Sequence, residues 1–177
     1  MRMYGSVVVR VINRATIGLA LLMTVGTSWG FFGGEGEPMY VEADKVDIDD
    51  AKGESLYQGN VEVNQGGIFI AGDKMTTYKN KQSSEIDKVV TVGKQARFTQ
   101  KASATKKAMD AKADRIIFYL GKDLVLLIGK AQILQTGTEF YGARIEYNMK
   151  TQAVHAERGK SGKRVRMVLQ PKKKAAQ

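Results

Sequence analysis

The stretch YQGNVEVNQGGIFIAG, residues 57–72, decides the fold that the sequence predicts. Apolar and polar residues alternate over 57–63 and again over 68–72, which is the period-two pattern of a half-buried β-strand. Between these runs lies NQGG, residues 64–67, whose glycines accept the positive φ that a tight hairpin requires. The segment therefore predicts two antiparallel strands joined by a short turn.

Variants of this segment recur along the chain. The run GNVEVNQ at 59–65 is echoed by GKAQILQ at 129–135, and a looser copy, GKQARFTQ, occupies 93–100. Two tetrapeptides also recur, since ADKV at 43–46 resembles ADRI at 113–116, and GDKM at 72–75 resembles GARI at 142–145. Repeated short strands of this kind predict stacked β-units that share one continuous core.

The tetrapeptides mark places where the inward face of a strand changes. Apolar residues stand at odd positions before ADKV (Met39, Val41) and at even positions after it (Val46, Ile48). Similar switches occur at 72–74 and at 142–144. Because a strand has a period of two, a bulge or bend at a small residue explains the change. We therefore expect long antiparallel strands that bend to serve two facing sheets.

Composition and charge exclude several kinds of protein. The 177 residues suffice for one domain with a sizeable core, and they include no Cys and a single His, His155. Disulfides and thiolate metal sites are therefore excluded, and the single His argues against a histidine-based zinc site or a Ser-His-Asp triad. The carboxylates Asp47, Asp49 and Asp50 lack the Gly and the distal Glu of a calcium loop, so we interpret them as part of a solvated turn. His155 lies in an alternating run, and we interpret it as a structural strand residue. No metal, no cofactor and no catalytic residue are predicted.

The N-terminus has the pattern of a secretory signal. Arg2, Arg10 and Arg14 precede a short apolar run at 15–26, whereas a membrane-spanning helix needs roughly 20 apolar residues. Ser28 and Gly30 fit a cleavage site after Gly30, and an uncleaved anchor is the alternative.

These observations divide the chain into a signal peptide at 1–30, a linker at 31–37, a β-domain at 38–171 and a basic tail at 172–177. Residues 35–54 contain eight acids and two lysines, whereas eight basic residues and no acid follow Glu157. Nucleic acid is the least favoured partner of an exported chain, so we expect the acidic end of one copy to pair with the basic end of the next, giving a head-to-tail homo-oligomer.

Four segments together resemble the LptA/OstA family: EPMYVEAD at 37–44, YQGNVEVNQG at 57–66, KDLVLLIG at 122–129, and GKRV with VLQP at 162–165 and 168–171. The resemblance covers nearly all of 37–171. It implies an all-β fold, an open V-shaped antiparallel β-jellyroll with an apolar interior. At Ile128 the family more usually has a polar Thr, so this chain adds an apolar group to the expected outer face.

The resemblance also implies a function. Members of this family are not enzymes; they are periplasmic carriers that shelter the acyl chains of lipopolysaccharide. Their copies join end to end and bridge an LptC-like inner-membrane component and an LptD-like outer-membrane component. A membrane-anchored, LptC-like scaffold of the same fold is the alternative.

By alternation, the interior of the predicted jellyroll contains one set of apolar residues: Met39, Val41, Val46, Val61, Val63, Ile68, Ile70, Phe98, Ile116, Phe118, Leu120, Leu127, Ile133 and Phe140. The family's lipid contacts map onto Met39, Val41, Phe98, Phe118 and Leu120. Lys74, Arg97 and Arg144 are candidates for contact with lipid A phosphates at the groove mouth. The pattern does not separate an open groove from a closed sandwich core.

The segment at 101–112 is rich in Ala and Lys and carries no apolar stripe. A short helix and a loop both suit its composition. We favour the loop, because a helix without an apolar face has nothing to bury.

Overall fold

The computed structural model describes residues 37–83, 85–159 and 164–170. They form ten strands and one short 3-10 helix, Leu120–Lys122. The strands are β1 Tyr40–Glu42, β2 Lys45–Asp49, β3 Glu54–Gln65, β4 Ile68–Lys79, β5 Ile86–Gln100, β6 Met109–Tyr119, β7 Leu124–Gln135, β8 Thr138–Asn148, β9 Ala153–Glu157 and β10 Arg166–Leu169.

All the strands pair antiparallel in one continuous sheet. The order is β1-β3-β4-β5-β6-β7-β8-β10, with β2 also beside β3 and β9 also beside β8. The predicted hairpin at 64–67 is present, because β3 pairs with β4 from Gln65 and Ile68 onward. The predicted all-β class is thereby confirmed.

Each pair among the six long strands β3–β8 changes register near its middle. The breaks lie between residues 58 and 61 of β3, 71 and 74 of β4, 92 and 96 of β5, 112 and 115 of β6, and 128 and 131 of β7. Bulges increase the local bend of a strand, so this line of bulges folds the sheet over itself. The sheet thus has two layers joined along the bend.

We call these the front layer and the back layer. The front layer contains β2, β9 and residues 54–58, 74–79, 86–92, 115–119, 124–128 and 144–148. The back layer contains β1, β10 and residues 61–65, 68–71, 96–100, 109–113, 131–135 and 138–142.

The two layers face each other across one hydrophobic core. Phe98 of the back layer meets Phe118 of the front layer edge to face, with ring centroids 5.7 Å apart. Gln135 of the back layer donates a hydrogen bond from Nε2 to the hydroxyl of Tyr147 in the front layer, at 3.0 Å. The predicted antiparallel jellyroll with bent strands is confirmed, and the sheet is open because its first and last strands do not pair with each other within the described residues.

The repeated tetrapeptides build the bend. Gly59 has φ +75°, and a Cβ added there would overlap the carboxylate of Asp44. Gly129 has φ +78°, and its added Cβ would lie 2.6 Å from Oδ2 of Asp114. The two echoed segments are therefore one structural device used twice, in which an Asp lies against a left-handed Gly. Asp44 lies between β1 and β2, and Asp114 lies in β6.

The predicted changes of inward face follow from these bulges. In β4 the buried residues switch from even positions (Ile68, Ile70) to odd positions (Met75, Thr77). In β8 the inward residues switch from an even position, Phe140, to an odd position, Ile145. At 43–45 the change coincides with the break between β1 and β2, so no single strand bends there.

The segment at 101–112 divides between two structures. Residues 101–108 form the predicted loop, but 109–112 belong to β6. For these four residues the loop prediction was wrong, because Met109 and Ala111 are inward residues that pair with β5 and β7. The predicted signal peptide, its cleavage site and the basic tail lie outside the described residues, as does all but Glu37 of the linker, and they stay predictions.

Candidate functional site in the apolar interior

The middle of the interior is closed. Nine of the predicted interior residues are buried in one cluster that both layers share: Val61, Val63, Ile68, Ile70, Phe98, Ile116, Phe118, Leu127 and Ile133. The Phe98 and Phe118 rings fill the space between the layers at this level. Burial of a large apolar side chain stabilises a fold by about 1.5–3 kcal/mol, so this cluster holds the layers together.

The remaining predicted residues lie around this closed middle. Met39, Val41, Leu120 and Phe140 are partly buried and pack against the cluster. Val46 differs, because 48% of it is exposed. Val46 lies opposite Tyr57 in the pairing of β2 with β3, and residues directly opposite share a face, so Val46 does point to the interior side. It is exposed because β2 is an edge strand, which pairs only with β3 in the described part of the chain.

The far end of the sheet mirrors this arrangement. Met167 of β10 lies opposite Phe140, and Leu169 lies opposite Thr138, which places both on the interior side of the back layer. Met167 is 51% exposed and Leu169 is 66% exposed. We call β1 and β2 the first open end, and β9 and β10 the second open end. The apolar interior is thus sealed in its middle and reaches solvent at both open ends.

The sequence reasoning missed the small inward residues. Ala96, Ala111, Ala113 and Ala131 are fully buried in the back layer. Ala111 pairs with Phe98 on one side and with Ile133 on the other, so a small side chain leaves room between two large ones. Alanine is common on both faces of a strand, and only its place in the alternating pattern of β6 could have marked it as inward.

A row of glutamines ends the interior at the hairpin side of the back layer. The last residues of the three echoed segments are Gln65, Gln100 and Gln135, and each donates a hydrogen bond from Nε2. Gln65 donates to the carbonyl of Glu37 at 3.0 Å, and Gln100 donates to the carbonyl of Lys107 at 2.9 Å. Gln135 donates to the Tyr147 hydroxyl. Gln65 and Gln100 are buried, and their Oε1 atoms have no hydrogen-bond partner among the described residues. Buried acceptors of this kind suit a donor from a ligand or a water.

The carboxylates of the first open end are held by lysines. Asp47 pairs with Lys45 at 2.9 Å, Asp50 pairs with Lys79 at 2.9 Å, and Asp49 pairs with Lys52 at 2.7 Å. The hydrogen bond from Lys52 lowers the pKa of Asp49 below its ordinary value. Within the described ranges, no group of side chains has the composition of a metal site.

The three candidates for phosphate contact lie on the outer surface of the sheet. Arg97 donates to Asp110, and Arg144 pairs with Glu146 at 2.6 Å and Glu157 at 3.8 Å. Lys74 lies opposite Gln58, on the face away from the buried Met75. Their placement gives no support to a phosphate contact at the groove mouth, which stays a prediction. His155 is an exposed strand residue, 3.2 Å from Glu157.

In the part of the chain that the structure describes, no helix has the length and apolarity to cross a membrane.

A profile of the family described as "LptA/(LptD N-terminal domain) LPS transport protein" matches residues 40–153, which span β1 to the start of β9. The chain belongs to this LptA family.

Curated relatives agree with this membership. The LptA-family chain is 34% identical over 145 residues to the lipopolysaccharide export system protein LptH of Pseudomonas aeruginosa, covering 78% of this chain and 82% of that protein. It is 33% identical over 137 residues to the lipopolysaccharide export system protein LptA of Escherichia coli K12, covering 76% and 72%. Both relatives are transport proteins by name.

A solved structure shows the same fold. The crystal structure of LptH from Pseudomonas aeruginosa, described as the periplasmic component of a lipopolysaccharide transport device, superimposes with a TM-score of 0.69 at 32% identity. The match covers 76% of this LptA-family chain and 96% of that one.

Proposed function

We propose that this LptA-family chain is a periplasmic carrier that shields the acyl chains of lipopolysaccharide in its apolar interior. One observation carries the proposal: inward apolar side chains continue past the sealed middle to both open ends, where they are exposed. The names of the relatives support lipopolysaccharide as the cargo. The carrier needs no catalytic group, and we propose no enzymatic activity.

The physical basis is the transfer of acyl chains out of water. Each buried methylene contributes about 0.8 kcal/mol, so even a short length of chain against Val46 or Leu169 adds to the affinity. Phe98 and Phe118 occupy the middle, and longer chains reach it only where they part the two layers. We therefore propose entry at the open ends, followed by separation of the layers along the bend.

Photocrosslinking in living cells tests the carrier proposal. A photoreactive amino acid is placed at Val46, at Phe118 or, as a control, at Glu62, which is exposed on the outer face next to the buried Val63. We expect capture of lipopolysaccharide from Val46 and Phe118 and none from Glu62. Capture from Glu62 alone, or equal capture from all three positions, would contradict an interior route.

End-to-end assembly is the second part of the proposal. The terminal strands β1 and β2 each pair only with β3, and β9 and β10 each pair only with β8, so both open ends have free edges within the described residues. The first open end is acidic. At the second open end, Arg158 follows β9, Arg164 precedes β10 and Arg166 is the first residue of β10. Head-to-tail addition would continue both layers into the next copy and cover the apolar ends. We propose that the same ends join LptC-like and LptD-like components.

A mixing experiment tests this assembly. Ile48→Lys alters only the first open end and Leu169→Glu only the second, and both residues are exposed, so folding is expected to be unaffected. Each variant alone should stay monomeric in light scattering, whereas the mixture should form dimers through the two intact ends. Filaments of either single variant, or a mixture that remains monomeric while wild-type chains assemble, would contradict head-to-tail contact.

Export to the periplasm rests on the predicted cleaved signal. N-terminal sequencing of the exported protein should find a start near Phe31. A start that retains the apolar run at 15–26 would instead favour the LptC-like anchored scaffold.

A further inference from the structure

The four corner tetrapeptides share a feature that the interior does not use. Each has a basic residue in its third position: Lys45, Lys74, Arg115 and Arg144. The strand register brings these four side chains into one row across the outer face of the front layer, in the order Lys45, Gln58, Lys74, Val92, Arg115, Ile128, Arg144. The bend thus places four cations on one line.

The two outer cations of this row are neutralised and the two central ones are not. Lys45 pairs with Asp47, and Arg144 pairs with Glu146 and Glu157. Lys74 and Arg115 are exposed, and neither forms an ion pair within the described part of the chain. They lie on either side of Val92, two strand spacings or about 10 Å apart at the backbone, so both long side chains reach the space above Val92.

A depression of about 410 Å³ opens at this place on β4, β5 and β6. Val90, Val92 and Ile117 are among its apolar lining residues, and Lys74 and Arg115 stand at one side. At the other side are two tyrosines, Tyr78 and Tyr119, with Lys88 between them. The Lys88 ammonium is 3.7 Å from the centre of the Tyr78 ring. None of the lining residues is acidic.

We infer that this depression binds a phosphorylated sugar. Its volume lies within the range of small-molecule sites, roughly 300–1,000 Å³. The Lys74 ammonium and the Arg115 guanidinium supply charge-assisted hydrogen bonds to one phosphate group above Val92. The apolar floor and the tyrosine rings offer a surface for the C–H face of a sugar ring. The site is on the opposite face of the front layer from the interior, so it is independent of the proposed carrier function.

Titration calorimetry of the full chain tests the inference with glucose 6-phosphate, inorganic phosphate and glucose as probes. Glucose 6-phosphate should bind saturably and more tightly than either inorganic phosphate or glucose. Lys74→Ala and Arg115→Ala should each weaken its binding about tenfold, since each removes a charged hydrogen-bond partner. Lys45→Ala is the matched control, because Lys45 holds the same corner position but is ion-paired and lies outside the depression. The affinity of this variant for the sugar phosphate should equal that of the wild type.

The floor has its own test. Ile117→Ser should weaken the binding of glucose 6-phosphate and leave the binding of inorganic phosphate unchanged. Thermal melts of all the variants establish that they are folded. Absence of saturation, equal loss in Lys45→Ala, or inorganic phosphate binding as tightly as the sugar phosphate would each overturn the inference. None of these results bears on crosslinking of lipopolysaccharide from the interior.

Discussion

The sealed middle and the open ends of this jellyroll are made from the same kind of strand, yet they differ in what covers them. Val63 and Val46 show the contrast on neighbouring strands. Both are valines on the interior side, and Val63 is 1% exposed whereas Val46 is 48% exposed. Val63 lies between β1 and β4 and beneath the facing layer, while Val46 lies on an edge strand.

This difference indicates that inward direction and burial are separate properties. Alternation along a strand fixes the direction of a side chain, but the number of neighbouring strands and the facing layer fix its exposure. In a chain that binds no apolar ligand, exposed inward residues at both ends would be a liability for aggregation. In this LptA-family chain, we propose that they contact the cargo and the next copy.

The largest expected effect is in the middle. Phe98→Ala should lower the free energy of unfolding by about 3–5 kcal/mol, because it removes a buried ring that joins the two layers and leaves a cavity. Leu169→Ala, at the second open end, should change it by less than about 0.5 kcal/mol. Urea unfolding at a concentration where the chain is monomeric measures both. Similar losses in the two variants would remove the distinction between middle and end.

An intermediate effect is expected at the bend. Gly129 and Gly137 have nearly the same φ, +78° and +79°, but an added Cβ meets Asp114 at Gly129 and nothing within 4 Å at Gly137. Gly137→Ala should therefore cost about 1–2 kcal/mol from the backbone alone, and Gly129→Ala about 1–3 kcal/mol more. The same unfolding experiment compares them. If the two costs are equal, the contact with Asp114 does not restrict the corner.

The smallest effect concerns the hydrogen bond between the layers. Tyr147→Phe removes the acceptor of the Gln135 amide and should cost about 1 kcal/mol near neutral pH. Burial raises the pKa of Tyr147 above its ordinary value of 10.0, so the folded state resists ionisation. The stability that the Tyr147 hydroxyl contributes is therefore complete below about pH 10. It falls at higher pH, because Tyr147 ionises at a lower pH in the unfolded chain than in the folded one.

Stability measured from pH 8 to 11 checks this prediction. The advantage of the wild type over Tyr147→Phe should shrink as the pH rises above 10. An advantage that stays constant or grows over this range would contradict a raised pKa in the folded state.

Much of the fold could be read from particular segments. The alternation at 57–72 and the NQGG turn predicted the β3–β4 hairpin, because both depend only on local backbone geometry. For the same reason, the face switches at 72–74 and 142–144 predicted the bends of β4 and β8. The start of β6 at Met109 was missed, since Ala- and Lys-rich residues have no clear period and only pairing with β5 and β7 makes them a strand. Alternation gives the outward direction of Arg97 and Arg144, but Asp110 and Glu157, which pair with them, lie on neighbouring strands.

The sequence by itself therefore determined the all-β class, the corners and the inward direction of the apolar side chains. Each of these depends on residues close together in the chain. Only the tertiary structure decided that Phe98 and Phe118 seal the middle, that Val46 and Leu169 remain exposed, and that Lys74 and Arg115 share one depression. Exposure and convergence depend on which strands become neighbours and which become edges, and that is set by long-range pairing across the whole sheet.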